Sequence, residues 1–137
     1  MATVKRFEEL EVYKLGIEIV KEVWAITKEL PRAEWAVADQ MKRAAISVNA
    51  NIAEGYERGS RSELIQFCYI AKGSAGELRS QLDGIHAVGL IKQESYERAR
   101  DLCLRESGKL ARFIEHLKRS KKTISGDKYR NNSDSLT

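Results

Sequence analysis

Proline occurs once in this chain, at Pro31, and cysteine twice, at Cys68 and Cys103. One proline leaves long stretches free to be helical, because proline lacks a backbone donor and clashes with the preceding turn. Two cysteines are too few for a disulfide framework or a Cys-based zinc site, so both are expected as reduced thiols. Histidine is equally scarce, with only His86 and His116. A di-iron bundle needs two Glu-x-x-His pairs and two further glutamates. Here Asp83-Gly84-Ile85-His86 alone has related spacing, so neither metal nor cofactor is expected. No apolar run approaches the roughly 20 residues of a membrane span. The start, Met1-Ala2-Thr3-Val4-Lys5-Arg6, has no apolar signal region behind its charges. Both features point to a cytoplasmic protein with no membrane partner. Gly55-Tyr56-Glu57-Arg58-Gly59-Ser60 lacks the Gly-Lys-Ser/Thr ending of a phosphate-binding loop, and its glycines read as turn residues.

What the chain has is helix-forming material. Apolar residues make up 42% and charged residues 32% of its 137 residues, which suits one folded domain with a real core. Many Ala, Leu, Glu, Lys and Arg with few β-branched runs indicate an all-α protein. Helix one is expected over about Phe7 to Leu30, ended by Pro31. It carries two apolar stripes: Leu10, Tyr13, Ile17, Val20, Trp24 and Thr27, and beside them Val12, Leu15, Ile19, Val23, Ile26 and Leu30. Together they are wider than one core-facing stripe requires. Either this helix is tucked between two neighbours, or one face meets another subunit. Helix two is expected from about Ala33 to Glu54, with Val37, Met41, Ala44, Ala45, Val48 and Ile52 on one face and Gly55 as a left-handed cap. Ser60 and Glu63 form an S-x-x-E capping box for helix three, about Ser62 to Val88. Its inward residues are Leu64, Phe67, Ile70, Ala71, Leu78, Leu82 and Ile85. Small residues, among them Ala44, Ala45, Ala75, Gly73 and Gly76, would let helices approach closely. After the turn at Gly89, helix four runs from about Glu94 to Lys118. Four long helices with short turns predict an antiparallel up-down-up-down four-helix bundle over residues 1–119. Residues 120–137 are polar and nearly free of apolar groups, and read as a disordered tail.

Polar residues interrupt the apolar faces: Ser74, Glu77 and Gln81 on helix three, Glu106 on helix four, with Asn51 and Arg43 flanking the stripe of helix two. A carboxylate on a buried face must be paired or protonated. These residues read as a structural network of Arg43, Asn51, Ser74, Glu77 and Gln81 that fixes helix register, with Glu77 bonded to Arg43 or Asn51. An active site is disfavoured because no nucleophile–base pair accompanies them, so no catalytic residue is assigned. Net charge is +4 but uneven. Residues 1–31 carry five basic and six acidic groups, whereas residues 98–122 carry nine basic and three acidic ones. On helix four, Arg98, Arg105, Lys109, Arg112, His116 and Arg119 recur at helical spacing in one stripe, extended by Lys118, Lys121 and Lys122. Such a row can neutralise successive phosphates without reading sequence. The alternative is a solvated face.

With those residues in view, the chain resembles the four-helix-bundle proteins encoded by intervening sequences in bacterial 23S ribosomal RNA genes, which are related to the accessory proteins of diversity-generating retroelements. The matching pattern is Leu30-Pro31, Gln40 through Arg43-Ala44-Ala45, Asn51-Ile52-Ala53-Glu54-Gly55, Ser62-Glu63, Phe67, Ile70-Ala71, Gly73-Ser74 and Glu77-Leu78. It covers about residues 7–117. Lys42 stands where the family often has arginine, which weakens any basic contact from helix two, and a tyrosine often seen after the turn glycine is absent at Leu90. The resemblance implies a bundle that assembles into a ring, most commonly a homopentamer, without enzymatic activity. For the retroelement relatives it implies binding to nucleic acid and to a reverse transcriptase. The reading is a non-enzymatic, ring-forming protein that binds structured RNA or DNA through its basic surface. The alternative is an oligomeric scaffold for another protein, such as a reverse transcriptase.

Overall fold

The computed structural model of the chain describes residues 4–120. Two short 3₁₀ turns and four α-helices follow one another: a turn at Phe7–Glu9, α1 at Glu11–Glu29, a turn at Arg32–Glu34, α2 at Trp35–Glu57, α3 at Arg61–Ala87 and α4 at Gln93–Arg119. No strand occurs among the described residues. Each helix packs on the two beside it, α1 on α2 and α4, and α3 on α2 and α4. This is the expected four-helix bundle, and its longest helices span about 40 Å. Apart from Ser120, the segment expected as a polar tail lies outside the described residues.

Local chemistry sets the helix ends, in two places differently from the sequence pattern. The pattern starts helix one at Phe7. Instead the chain makes a 3₁₀ turn and straightens at Leu10 (φ −72°, ψ 137°), which is buried, before α1 begins. Leu30 is extended (φ −77°, ψ 144°), the conformation favoured before a proline. Helix two does not stop at Gly55 but continues through Glu57. The left-handed residue is Gly59, at φ 85°. Gly55 lies inside the helix, where an added Cβ would stand 2.6 Å from the Phe67 Cβ. Its small size therefore serves close helix approach, not capping. Ser60 caps α3 as expected, accepting from the Glu63 backbone N–H at 3.2 Å. At the next corner Gly89 (φ 77°) closes a Schellman motif, with Leu90 N–H donating to the Ile85 carbonyl at 2.9 Å and Gly89 N–H to that of His86 at 3.0 Å.

The core forms two clusters along the bundle. One gathers Val12, Val48, Ile52, Leu64, Cys68, Leu110 and Ile114, among others. The second holds Ile19, Val23, Met41, Ala45, Leu78, Leu82, Ala99 and Cys103. Near where the clusters meet, each helix carries a buried glycine or polar residue: Gly16 on α1, Asn49 on α2, Ser74 on α3 and Glu106 on α4. On helix one the stripe of Val12, Leu15, Ile19, Val23 and Ile26 is buried. The other stripe is partly open, with Ile17 and Trp24 exposed and Tyr13 and Val20 half-buried. Ile70, expected inward, is instead 48% exposed, next to Tyr69 at 49%. Gly73 and Gly76 do not mediate close approach, since a Cβ on either would meet nothing within 4 Å.

Candidate nucleic-acid interface

Period and burial together place the basic stripe. Residues Ala99, Cys103, Glu106, Leu110, Ile114 and Leu117 turn into the bundle. That leaves Arg98, Arg105, Lys109, Arg112, His116 and Arg119 in one row on the α1 side of α4. The row is continuous in space but not uniform in charge. Arg98 Nε donates to Glu22 Oε2 on α1 at 2.9 Å, and the Glu22 side chain is only 16% exposed. This cation is committed to holding α4 on α1. Arg105 Nη1 stands 3.6 Å from Asp101 Oδ2, one turn back, an exposed pair of the kind worth well under 1 kcal/mol. Lys109, Arg112, His116 and Arg119 have no acidic partner among the described residues. Lys109 is half-buried and the other three are exposed. The free charge is therefore concentrated on the last three turns of α4. Lys118, on the α3 side, is occupied by Tyr69, to whose hydroxyl it donates at 2.9 Å.

Hollows are cut into this ridge. Arg105, Lys109 and Arg112 border a shallow one with Leu104 and Gly108. A groove of about 470 Å³ lies where α4 faces the N-terminal turn and the start of α1. Lys109, Arg112 and His116 form one wall, Glu9 and Glu11 the other, and Val4, Leu10, Val12 and Phe113 the apolar floor.

The structural network expected around helix three is partly corrected. Ser74 is buried and its hydroxyl meets that of Ser47 at 2.8 Å. Asn51 Nδ2 donates to the Ser47 carbonyl at 2.8 Å and to its hydroxyl at 3.0 Å. Arg43 and Glu77 are not part of this set. Arg43 is exposed and pairs with Asp39 on its own helix at 2.9 Å. Glu77 is exposed and only accepts from Gln81 Nε2 at 3.4 Å, so it bonds neither Arg43 nor Asn51. Both residues sit just past the edge of the buried arc, and a helix rotation of a few tens of degrees decides the matter. Gln81 also stands outside this set: beyond its bond to Glu77, its side-chain carbonyl oxygen Oε1 is buried without a partner.

The deepest polar groups are elsewhere. Asn49, not expected as a site residue, is buried and donates from Nδ2 to the Tyr13 carbonyl at 3.1 Å, while its Oδ1 has no partner. It packs on Gly16, where an added Cβ would collide with the carboxamide. The signal was its position between Ala45 and Ile52 on the apolar arc. Glu106 is fully buried with both carboxyl oxygens unpartnered. Burial pushes its pKa up to about 8, only partly opposed by Lys109. It is therefore held as the neutral acid at pH 7. Burial likewise pushes the Cys68 and Cys103 thiols up to about 12, so both are free but unreactive. Asp83 and His86 are taken up by Tyr96, whose hydroxyl donates to Asp83 at 2.8 Å and whose ring stacks on His86 with centroids 3.9 Å apart. No helix among the described residues is long and apolar enough to cross a membrane.

A model of the 23S rRNA-intervening sequence protein family matches residues 8–112 of the chain. No curated protein matches it. Among solved structures, a protein of unknown function from the S23 ribosomal protein family of Bacteroides thetaiotaomicron is similar, with a TM-score of 0.72 at 24% identity. The match covers 76% of this chain and 98% of that one. At that identity the likeness concerns the fold.

Proposed function

The chain belongs to the 23S rRNA-intervening sequence protein family, and from that premise we propose that it is a non-enzymatic, ring-forming bundle that binds structured RNA or DNA in the cytoplasm. The observation that carries this reading is the run of Lys109, Arg112, His116 and Arg119. These residues lie on successive turns of one rod, and none has an acidic partner among the described residues. A phosphate backbone can follow such a row, each contact releasing counterions and none reading a base. Arg105 joins the row because its ion pair with Asp101 is exposed and exchanges readily for a phosphate. Arg98 does not, because Glu22 already holds it.

Ring assembly multiplies the ridge. Ile17 and Trp24 on α1, with Trp35 and Ile46 on α2, are large apolar side chains left exposed on the outer side of one helix pair. An apolar face of that kind is a surface for a second copy. A homopentamer, the number following from the family resemblance alone, would repeat weak phosphate contacts five times and raise avidity. The test is an anisotropy titration of the protein with an RNA hairpin and a DNA duplex over a salt series. A steep fall of affinity with salt on both supports the reading. Absence of binding at low salt refutes it.

The exposed pair Tyr69 and Ile70 favours a second reading, in which the assembly is a scaffold for another protein, such as a reverse transcriptase. That reading has the basic ridge as a solvated face and expects no nucleic-acid binding in the same titration.

A further inference from the structure

We propose that the groove between α4 and the N-terminal turn takes an unpaired nucleotide whose base carries an amino group, with the phosphate on Arg112 and Lys109 and the base over Phe113. The inference rests on the nucleic-acid reading above and assigns a ligand class to one part of that surface. Three chemistries meet in about 470 Å³: a cationic wall, an apolar floor containing an aromatic ring, and a carboxylate wall. A bare phosphate would use only the first, and an aliphatic chain only the second. A duplex keeps its bases stacked and offers the ridge its phosphates alone. A splayed nucleotide supplies all three partners: an anion, a flat apolar face and a donor edge.

The two walls do not neutralise each other. No ion pair crosses the groove among the described residues. Glu9 is held on its own side by Arg6 at 3.7 Å and by the Lys5 backbone N–H at 3.2 Å. Among the described residues the one ion pair of Glu11 is with Lys14, at 3.6 Å through Oε2, and its side chain is 72% exposed, which leaves the carboxylate accessible. A carboxylate accepts from an amino group such as N4 of cytosine. Uracil has a carbonyl at the same position and would turn a lone pair toward the Glu11 charge. The groove thus distinguishes two bases of equal size by one substituent.

The experiment measures binding of oligocytidylate and oligouridylate of equal length to the intact chain at one salt concentration. The parent should prefer oligocytidylate by about tenfold, within the range of one good base contact. Glu11→Gln, at an exposed position on the first turn of α1, should bring that ratio to about one. Phe113→Leu should weaken binding of both oligomers severalfold, because either base can stack on the ring, while leaving the helical circular dichroism unchanged. If Phe113→Leu unfolds, Glu11→Gln decides alone. A ratio of one in the parent, or a preference that survives Glu11→Gln, overturns the proposal. A chain that binds the RNA hairpin without discriminating the two oligomers refutes only this inference. A chain that binds no nucleic acid at all refutes the nucleic-acid reading with it.

Discussion

At Glu106 burial holds the proton on: the carboxyl releases it at about pH 8 in the folded chain, against 4.5 for an ordinary glutamate. Between those values the folded state keeps a proton that the unfolded state has lost. Stability is therefore greatest below about pH 4.5, falls as pH rises toward 8, and then levels off, with a slope of at most about 1.4 kcal/mol per pH unit. Glu106→Gln should flatten that dependence, and Glu106→Leu should stabilise the bundle by removing a buried polar group without partners. Thermal melts from pH 5 to pH 9 check both, and a parent that gains stability from pH 5 to 8 by this group would contradict the assignment. A second contrast separates polar residues that look alike in sequence. Ser47→Ala orphans the buried Ser74 hydroxyl and removes an acceptor of Asn51, and should cost about 1–3 kcal/mol. Glu77→Ala, on the exposed face, should change stability by less than about 0.5 kcal/mol. Equal effects on the melting temperature would put Glu77 back in the network. Side-chain type alone shows that helices two and three carry polar groups near the core. Which of them point inward depends on how far each helix turns about its axis, and Glu77 and Ser74 are only three residues apart.

Among the elements, the helix count, their order and the stops at Pro31, Ser60 and Gly89 are legible in the chain, because each rests on local backbone chemistry. The end of α2 is less so. A glycine before polar residues has the pattern of a left-handed cap, yet Gly55 lies inside α2, where its lack of a Cβ makes room for Phe67 on another helix. Close approach between helices is a property of tertiary packing, and a local pattern cannot report it. The consequence is testable. Gly55→Ala gains helix propensity but drives a Cβ to 2.6 Å from the Phe67 Cβ, so it should destabilise by about 1–3 kcal/mol. Gly73→Ala and Gly76→Ala meet nothing within 4 Å, and each should stabilise by about 0.5–1 kcal/mol. Denaturant midpoints of the three variants give the comparison. A stabilising Gly55→Ala would show that the helices are not in that contact.

For the whole molecule, the basic balance of the C-terminal helix is visible in composition, but its distribution is not. Glu22 removes Arg98 from the ridge, Tyr69 occupies Lys118, and the unpaired charge collects from Lys109 to Arg119. Those partners come from other helices, so only the folded chain brings them together. Two stripes on helix one are legible as too much apolar surface for one bundle, and Ile17 and Trp24 are indeed left exposed. Light scattering coupled to size exclusion should therefore give a mass several times that of the 15.5 kDa chain. A monomer at micromolar concentration would remove the ring from the account.

The central claim, that the α4 ridge is a phosphate-binding surface, is tested most directly by reversing its charge. Arg105, Lys109 and Arg112 border one hollow on consecutive turns. Changing all three to Glu should leave fold and oligomer mass intact, because Arg105 and Arg112 are exposed and the half-buried Lys109 stands on the groove wall, which circular dichroism and light scattering check. The measurement is a fluorescence-anisotropy titration of parent and triple variant with an RNA hairpin at low salt. The account predicts binding by the parent and none by the variant; a variant that binds as well as the parent would contradict it.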